Sequence, residues 1–150
     1  MAKGEFTATV DPRDYAKIMN TLSDMSKLER EAVIQKAISE GLDVIVRQGK
    51  SNLAASNIKT RTGNLKGSFK KLTNKSQLKG YAGFKRPQGA AAHLIDRGTK
   101  KRSTKSGANR GAVVGNYFWT RAVEMKRDIA QRELMESVEK TIQNIINRNN

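Results

Sequence analysis

The 150-residue chain has no cysteine and a single histidine, His93. The first absence excludes a disulfide framework, a thiol nucleophile and thiolate-bound zinc. The second excludes two-histidine metal sites. No apolar run approaches the roughly 18 residues that span a bilayer, so no membrane segment is expected. The first residues, Met1-Ala2-Lys3-Gly4-Glu5-Phe6, lack the apolar core and small-residue cleavage site of a signal peptide. A protein made and kept in a reducing cytosol is the expectation. Aromatics make up 5% of the chain. In its central part they are Phe69, Tyr81 and Phe84, at phases that suit a core better than a platform for stacked bases. Hydrophobic residues reach 37%, enough for one domain with a modest core, and 150 residues are too short for two ordinary domains.

Acidic residues are scarce in one particular place. After Asp43 the next acid is Asp96, and after that Glu124. Residues 44–123 hold 18 basic residues and one acidic, while the two ends together are nearly balanced. The net charge of +15 therefore belongs to the middle. A surface this basic attracts something acidic.

The chain divides into four stretches of one domain. Residues 1–25 read as a short strand, with Phe6, Ala8 and Val10 inward, and a short helix. Asp11-Pro12 opens that helix, and Tyr15, Ile18, Met19 and Leu22 form its apolar face. Residues 26–56 form a long helix opened by the capping box Ser26-Lys27-Leu28-Glu29. Ile34, Ile38, Leu42, Ile45 and Leu53 recur at helical spacing along it. Gly41 and Gly49 suggest close approach of another backbone. Residues 57–115 are β-rich and basic, with strands at 66–73 and 78–85 around a turn at Asn74-Lys75-Ser76. Ala90–Ile95 reads equally as a strand or a helical turn. Residues 97–111 read as a long mobile basic loop, after which Ala112-Val113-Val114 return to the core. Residues 116–150 form a last helix capped by Asn116, with Phe118, Ala122, Met125, Ile129, Leu134, Val138, Ile142 and Ile145 as its apolar stripe. The class is α+β: long amphipathic helices packed on a small antiparallel sheet, with a long basic loop. Two helices of about 30 residues are long for so small a domain. Either part of their apolar length faces another subunit, or the monomer is elongated and flat.

No catalytic constellation is legible, and no cofactor or metal is called for. A metal-dependent nuclease needs converging carboxylates, and the basic middle has only Asp96. His93, among alanines and Leu94, reads as a packed histidine. Lys105-Ser106-Gly107 has neither the order nor the setting of a phosphate loop. The protein is read as a non-enzyme. The cations Lys70, Lys71, Lys75, Lys79, Lys85 and Arg86, with those of the loop, suit the phosphates of a nucleic acid. On charge alone, a basic surface that docks on an acidic protein is the plainer reading.

Three segments form a further pattern in their order: Lys59-Thr60-Arg61-Thr62-Gly63-Asn64-Leu65-Lys66-Gly67-Ser68-Phe69, Ala91-Ala92-His93-Leu94-Ile95-Asp96-Arg97-Gly98-Thr99, and Gly115-Asn116-Tyr117-Phe118-Trp119-Thr120-Arg121-Ala122. Together they resemble the tail-completion (head–tail joining, or neck) proteins of long-tailed bacteriophages, over about residues 30–145. Thr62, Gly63, Leu65, Gly98, Thr99, Phe118, Trp119 and Ala122 match the family pattern. Asp96-Arg97 stands where the family usually has Glu-Tyr or Glu-Phe. Physically, Gly63 ends the helix-to-strand connection with positive φ, Leu65 and Phe69 anchor the sheet, and Phe118 and Trp119 re-anchor the chain on the core.

The resemblance implies a structural virion protein at the neck, found in the host cytoplasm before assembly. It implies a homo-oligomeric ring, commonly a hexamer, between the head connector and the tail tube or tail terminator, with packaged DNA passing its lumen. A tail terminator of related fold is the near alternative, and a stand-alone, non-specific nucleic-acid-binding protein the more distant one. The expected docking element is the loop, through Arg97, Lys100, Lys101, Arg102, Lys105 and Arg110.

Overall fold

The computed structural model describes residues 8–10, 18–20, 22–56, 58 and 63–150. Its strands are β1 (Ala8–Val10), β2 (Phe69–Asn74) and β3 (Lys79–Phe84), and its helices are α1 (Lys27–Ala55), α2 (Ala92–Arg97) and α3 (Phe118–Asn149). The sheet is antiparallel with the order β1-β3-β2. The α+β class holds, with two long helices against a small sheet. The opening Asp11-Pro12, Tyr15, Phe6 and the stretch Lys59–Thr62 lie outside the described residues. Residues 18–20 are helical, and Ile18 and Leu22 are buried.

α1 begins where the capping box places it. The Ser26 N–H donates to Glu29 Oε2 at 2.9 Å and the Glu29 N–H to Ser26 Oγ at 3.3 Å, so two otherwise orphaned donors are satisfied. The helix ends at Ser56, whose N–H and hydroxyl both donate to the carbonyl of Leu53. Between these caps Ile34, Ile38, Leu42, Ile45 and Leu53 are buried, each worth about 1.5–3 kcal/mol relative to exposure. Asn52 Nδ2 donates to the Phe118 carbonyl at 3.0 Å, which fixes the end of α1 beside the start of α3. The two helices pack extensively from that point and therefore run antiparallel.

The sheet packs on α1. Cross-strand partners share a face, so Phe69 and Phe84 lie together, as do Lys71 and Ala82. Gly80 is the point of closest approach to the helix, where a Cβ would stand 2.2 Å from Ile38 and 2.7 Å from Leu42. Lys71 reaches across to α1, at 2.7 Å from Asp43 Oδ1 and 2.9 Å from Ser39 Oγ. It ties sheet to helix and is not part of a free basic surface. The turn after β2 is an Asx turn: Asn74 Oδ1 accepts from the Ser76 and Gln77 N–H groups.

Several expectations change here. Residues 66–68 form a short 3-10 turn before β2, so the strand starts at Phe69. Ala90–Ile95 resolves as a turn at Ala90 and Ala91 leading into α2, with no strand. Gly49 admits a side chain and not a backbone, since its Cβ would lie 2.8 Å from the Trp119 ring. Ala112, Val113 and Val114 do not return to the core: Val114 is 89% exposed. Met125 (60%) and Ile129 (36%) also leave the stripe proposed for α3. The buried face of that helix runs through Ala122, Ala130, Leu134 and Val138 instead. Tertiary packing has rotated the boundary of that face, and a row of apolar side chains is left outside.

Candidate functional site: a basic arm clamped at its root

Residues 98–114 are a hydrogen-bonded hairpin rather than an irregular loop. Two isolated bridges, Gly98 with Val114 and Ser103 with Asn109, pin its base and its tip, and between them the Arg102 N–H donates to Gly111 O at 3.1 Å, a bulge that interrupts the pairing. The Thr99 N–H donates to Val113 O at 2.8 Å, Arg110 N–H to Arg102 O at 2.7 Å and Thr104 N–H to Ala108 O at 2.9 Å. Thr99 adds a side-chain bond, its Oγ1 accepting from the Val113 N–H at 2.9 Å. Near the tip, Thr104 Oγ1 accepts from the Ala108 N–H, and Gly107 takes φ 86°. The composition that suggested disorder is in fact that of a polar ribbon. Its Gly, Ser, Thr and Asn serve turns and ladder bonds.

The root of the arm is built from glycine and one buried acid. Gly98 caps α2 at φ 81°, a region that disfavours every side chain. A Cβ on it would stand 2.6 Å from both Val113 O and Gly115 N. Gly115 mirrors this, since its Cβ would fall 2.5 Å from the Arg97 carbonyl carbon. The two legs of the arm therefore cross backbone against backbone. The N–H groups of Asn116 and Tyr117 then donate to the carbonyls of Ile95 and Asp96.

Asp96 is fully buried. Its Oδ1 accepts from the N–H groups of Trp119, at 2.7 Å, and Thr120, at 3.1 Å, and its Oδ2 accepts from the Thr120 hydroxyl. The residue flanking α3, Tyr117, is left-handed at φ 57° and gives no side-chain cap. Asn116, the expected cap, accepts from the Phe118 N–H alone. A carboxylate from another helix thus does most of the capping, where the helix dipole favours negative charge. The one acid in the basic middle is structural, and sequence reading missed its role because the capping partners lie more than 20 residues away.

The three pattern segments meet at this root. Phe69 lies 6.0 Å from Trp119 and 6.5 Å from Phe118, ring centre to ring centre, and Phe84 lies 4.7 Å from Phe69 and 5.2 Å from Trp119. Tilted and edge-on pairs of this kind add about 0.5–1.5 kcal/mol each beyond area burial. Gly63 takes φ 67°, Leu65 is buried, and Ala122 is buried. Gly98 and Thr99 begin the arm. These residues pack, turn or cap around the root of the arm and so hold its surface in place.

Of the proposed docking cations, Arg97 closes α2 and sits at the root. Lys100, Lys101, Arg102, Lys105 and Arg110 lie along the exposed arm. The pairing around the Ser103–Asn109 bridge sets Arg102 opposite Arg110, and both, with Ser103, Thr104 and Lys105, line a half-open concavity of about 520 Å³ at the tip. His93 is half-buried on α2. Among the described residues no cluster of three or more His, Asp or Glu is placed to hold a metal ion, and no helix is long and apolar enough to cross a membrane. Comparison of the chain with family models, curated proteins and solved structures finds no match.

Proposed function

We propose that this chain is a structural assembly protein, a ring-forming subunit at the neck of a long-tailed phage particle that joins head connector to tail. The reading rests on the sequence pattern, whose three segments converge on one aromatic node, and on one observation above all. Val113, Val114, Tyr117, Met125 and Ile129 are exposed and follow one another from the root of the arm along α3. Scattered apolar residues on a surface mean little, but here five fall in one stretch of chain, with Arg121 between Tyr117 and Met125 on the helix face, and that concentration favours a contact site. A second exposed pair, Leu28 and Ile146, lies toward the opposite end of the antiparallel helices. Two unlike patches at opposite ends suit head-to-tail contacts that close into a ring by rotation. The hexamer is carried by the resemblance alone. A tail terminator would use the same surfaces.

The protein works by surface complementarity and transforms no substrate. Because the arm is already paired with itself, docking through it carries little ordering cost. The mass of the purified protein in solution, with negative-stain images, tests the reading. Closed rings are the expected result. A stable compact monomer at high concentration overturns it and favours a stand-alone nucleic-acid-binding protein.

A further inference from the structure

The tip of the arm carries a feature that self-association leaves unexplained. In an antiparallel pair, residues directly opposite project from the same face, and like charges there are destabilising. The arm nevertheless places Arg102 opposite Arg110, with Lys105 in the adjoining turn. No acidic residue occurs between Arg97 and Val123. None of Arg102, Lys105 and Arg110 has an ion-pair partner among the described residues. The like charges converge on the 520 Å³ concavity, where the described residues offer no carboxylate to offset them.

Two polyanions would offset them: an acidic protein or a nucleic acid. Protein contacts gain their energy from apolar and aromatic anchors in a desolvated centre. From Thr99 to Gly111 the arm has no apolar residue except Ala108. Interfaces with DNA are polar and strongly positive, and a two-stranded ribbon fits the major groove, about 12 Å wide. The lack of aromatic side chains on the arm argues against single strands, which bind by stacking. We infer that the tip of the arm is a sequence-independent duplex DNA contact, in which Arg102, Lys105 and Arg110 straddle the phosphate backbone. The arginine forks pair with phosphate oxygens and the lysine acts as a point charge. This deepens the neck reading by giving the arm the duplex as its partner, but its test does not depend on ring formation.

The test measures binding of the full-length protein to a mixed-sequence duplex of about 30 base pairs across a salt series. Each phosphate contact contributes about 0.9 to the slope of log affinity against log salt, so replacing Arg102, Lys105 and Arg110 together by alanine should lower the slope by about 2.7. A control with Lys27, Lys36 and Lys140 replaced by alanine loses the same charge from exposed helix positions, and should keep its slope to within about 1. Circular dichroism of both variants shows whether the fold is kept. The arm variant should keep it, because the ladder bonds are made by backbone. Equal loss of slope in the two variants overturns the proposal, because bulk charge then explains the binding. So does an arm variant with unchanged slope. Polyglutamate that binds as tightly as duplex and is lost with the same three residues also overturns it, and assigns the arm to an acidic protein. The mass of the same samples reads ring formation separately.

Discussion

Asp96 Oδ1 accepts the Trp119 N–H at 2.7 Å, from 23 residues away in the chain. This bond, with the two to Thr120, joins the outgoing leg of the arm to the helix that follows the returning leg. The same residue's carbonyl accepts from Tyr117. One buried acid therefore sets both the start of α3 and the direction in which the arm leaves the body.

Replacing Asp96 by alanine leaves two backbone donors and a hydroxyl unsatisfied in a buried place, at about 1–3 kcal/mol for each exposed deficit and less where water enters. A total near 3 kcal/mol is expected, seen as a lower urea midpoint with unchanged slope. Asp96→Asn keeps an acceptor and loses charge, so about half that cost is expected. Thr120→Val removes one bond, for about 1 kcal/mol. An Asp96→Ala protein with the parent midpoint would refute the capping role.

The glycines of the arm should separate into two classes. At Gly98 and Gly115 an added Cβ meets backbone at 2.6 Å or closer, and backbone cannot swing aside. Each alanine variant is expected to cost more than about 3 kcal/mol, from the clash at both sites and from the positive φ as well at Gly98. Gly107 and Gly111 have positive φ but open space around them, so alanine there should cost about 1 kcal/mol. Thermal unfolding of the four variants gives the order directly, and similar losses at all four would contradict the crossing at the root.

The capping box of α1 predicts a pH dependence. Hydrogen bonding to Ser26, through its side chain first and its backbone second, holds the Glu29 carboxyl below its ordinary value of 4.5. A depressed carboxyl binds protons less readily when folded than when unfolded. Its contribution is therefore present in full above the ordinary value and fades as pH falls through the folded one. The stability difference between the parent and Glu29→Gln should be constant from neutral pH down to about 5 and shrink below it. Ser26→Ala should lower stability by about 1 kcal/mol and abolish that pH dependence.

How much of this was legible in the sequence follows from how local each signal is. α1 is defined by a capping box and a run of aliphatic residues within one stretch of chain, and the stretch 26–56 read as helix matches Lys27–Ala55 with its two capping residues. The turn at Asn74 and the left-handed Gly63 are equally local. Asp96 was not legible because its partners are distant in sequence, and Asp96-Arg97 reads as an ordinary exposed pair. The arm was taken for a loop because its ladder bonds are made by backbone, to which polar side chains give no clue. Val113, Val114 and Met125 were assigned to the core on hydrophobicity alone. That measure does not distinguish a face turned to the core from a face kept for another molecule.

That exposed row gives a prediction about association. Val114→Asp and Met125→Glu place charge where a neighbour's apolar surface would be desolvated, a cost of several kcal/mol per contact. In the free subunit both sites are solvent-exposed, so stability should change by no more than about 0.5 kcal/mol. The expected outcome is a folded monomer by light scattering where the parent forms a larger species. Variants that keep the parent's mass would remove the row from the interface.

Deletion of residues 100–110 separates the arm from the body. The root would remain: Gly98 against Gly115, Thr99 beside Val113, and Asp96 on the start of α3. The removed segment contributes no buried apolar side chain, and shortening a loop costs little entropy. The truncated protein should therefore unfold at a denaturant midpoint close to the parent's. If the neck reading is right, it should also form rings, because the apolar row lies outside the deletion, yet fail to join heads to tails in an in vitro joining assay, because the duplex contact supplied by the arm is gone. Truncated protein that still yields infectious particles would show that the arm is dispensable for docking. Truncated protein that no longer assembles would instead move the subunit contact from α3 onto the arm.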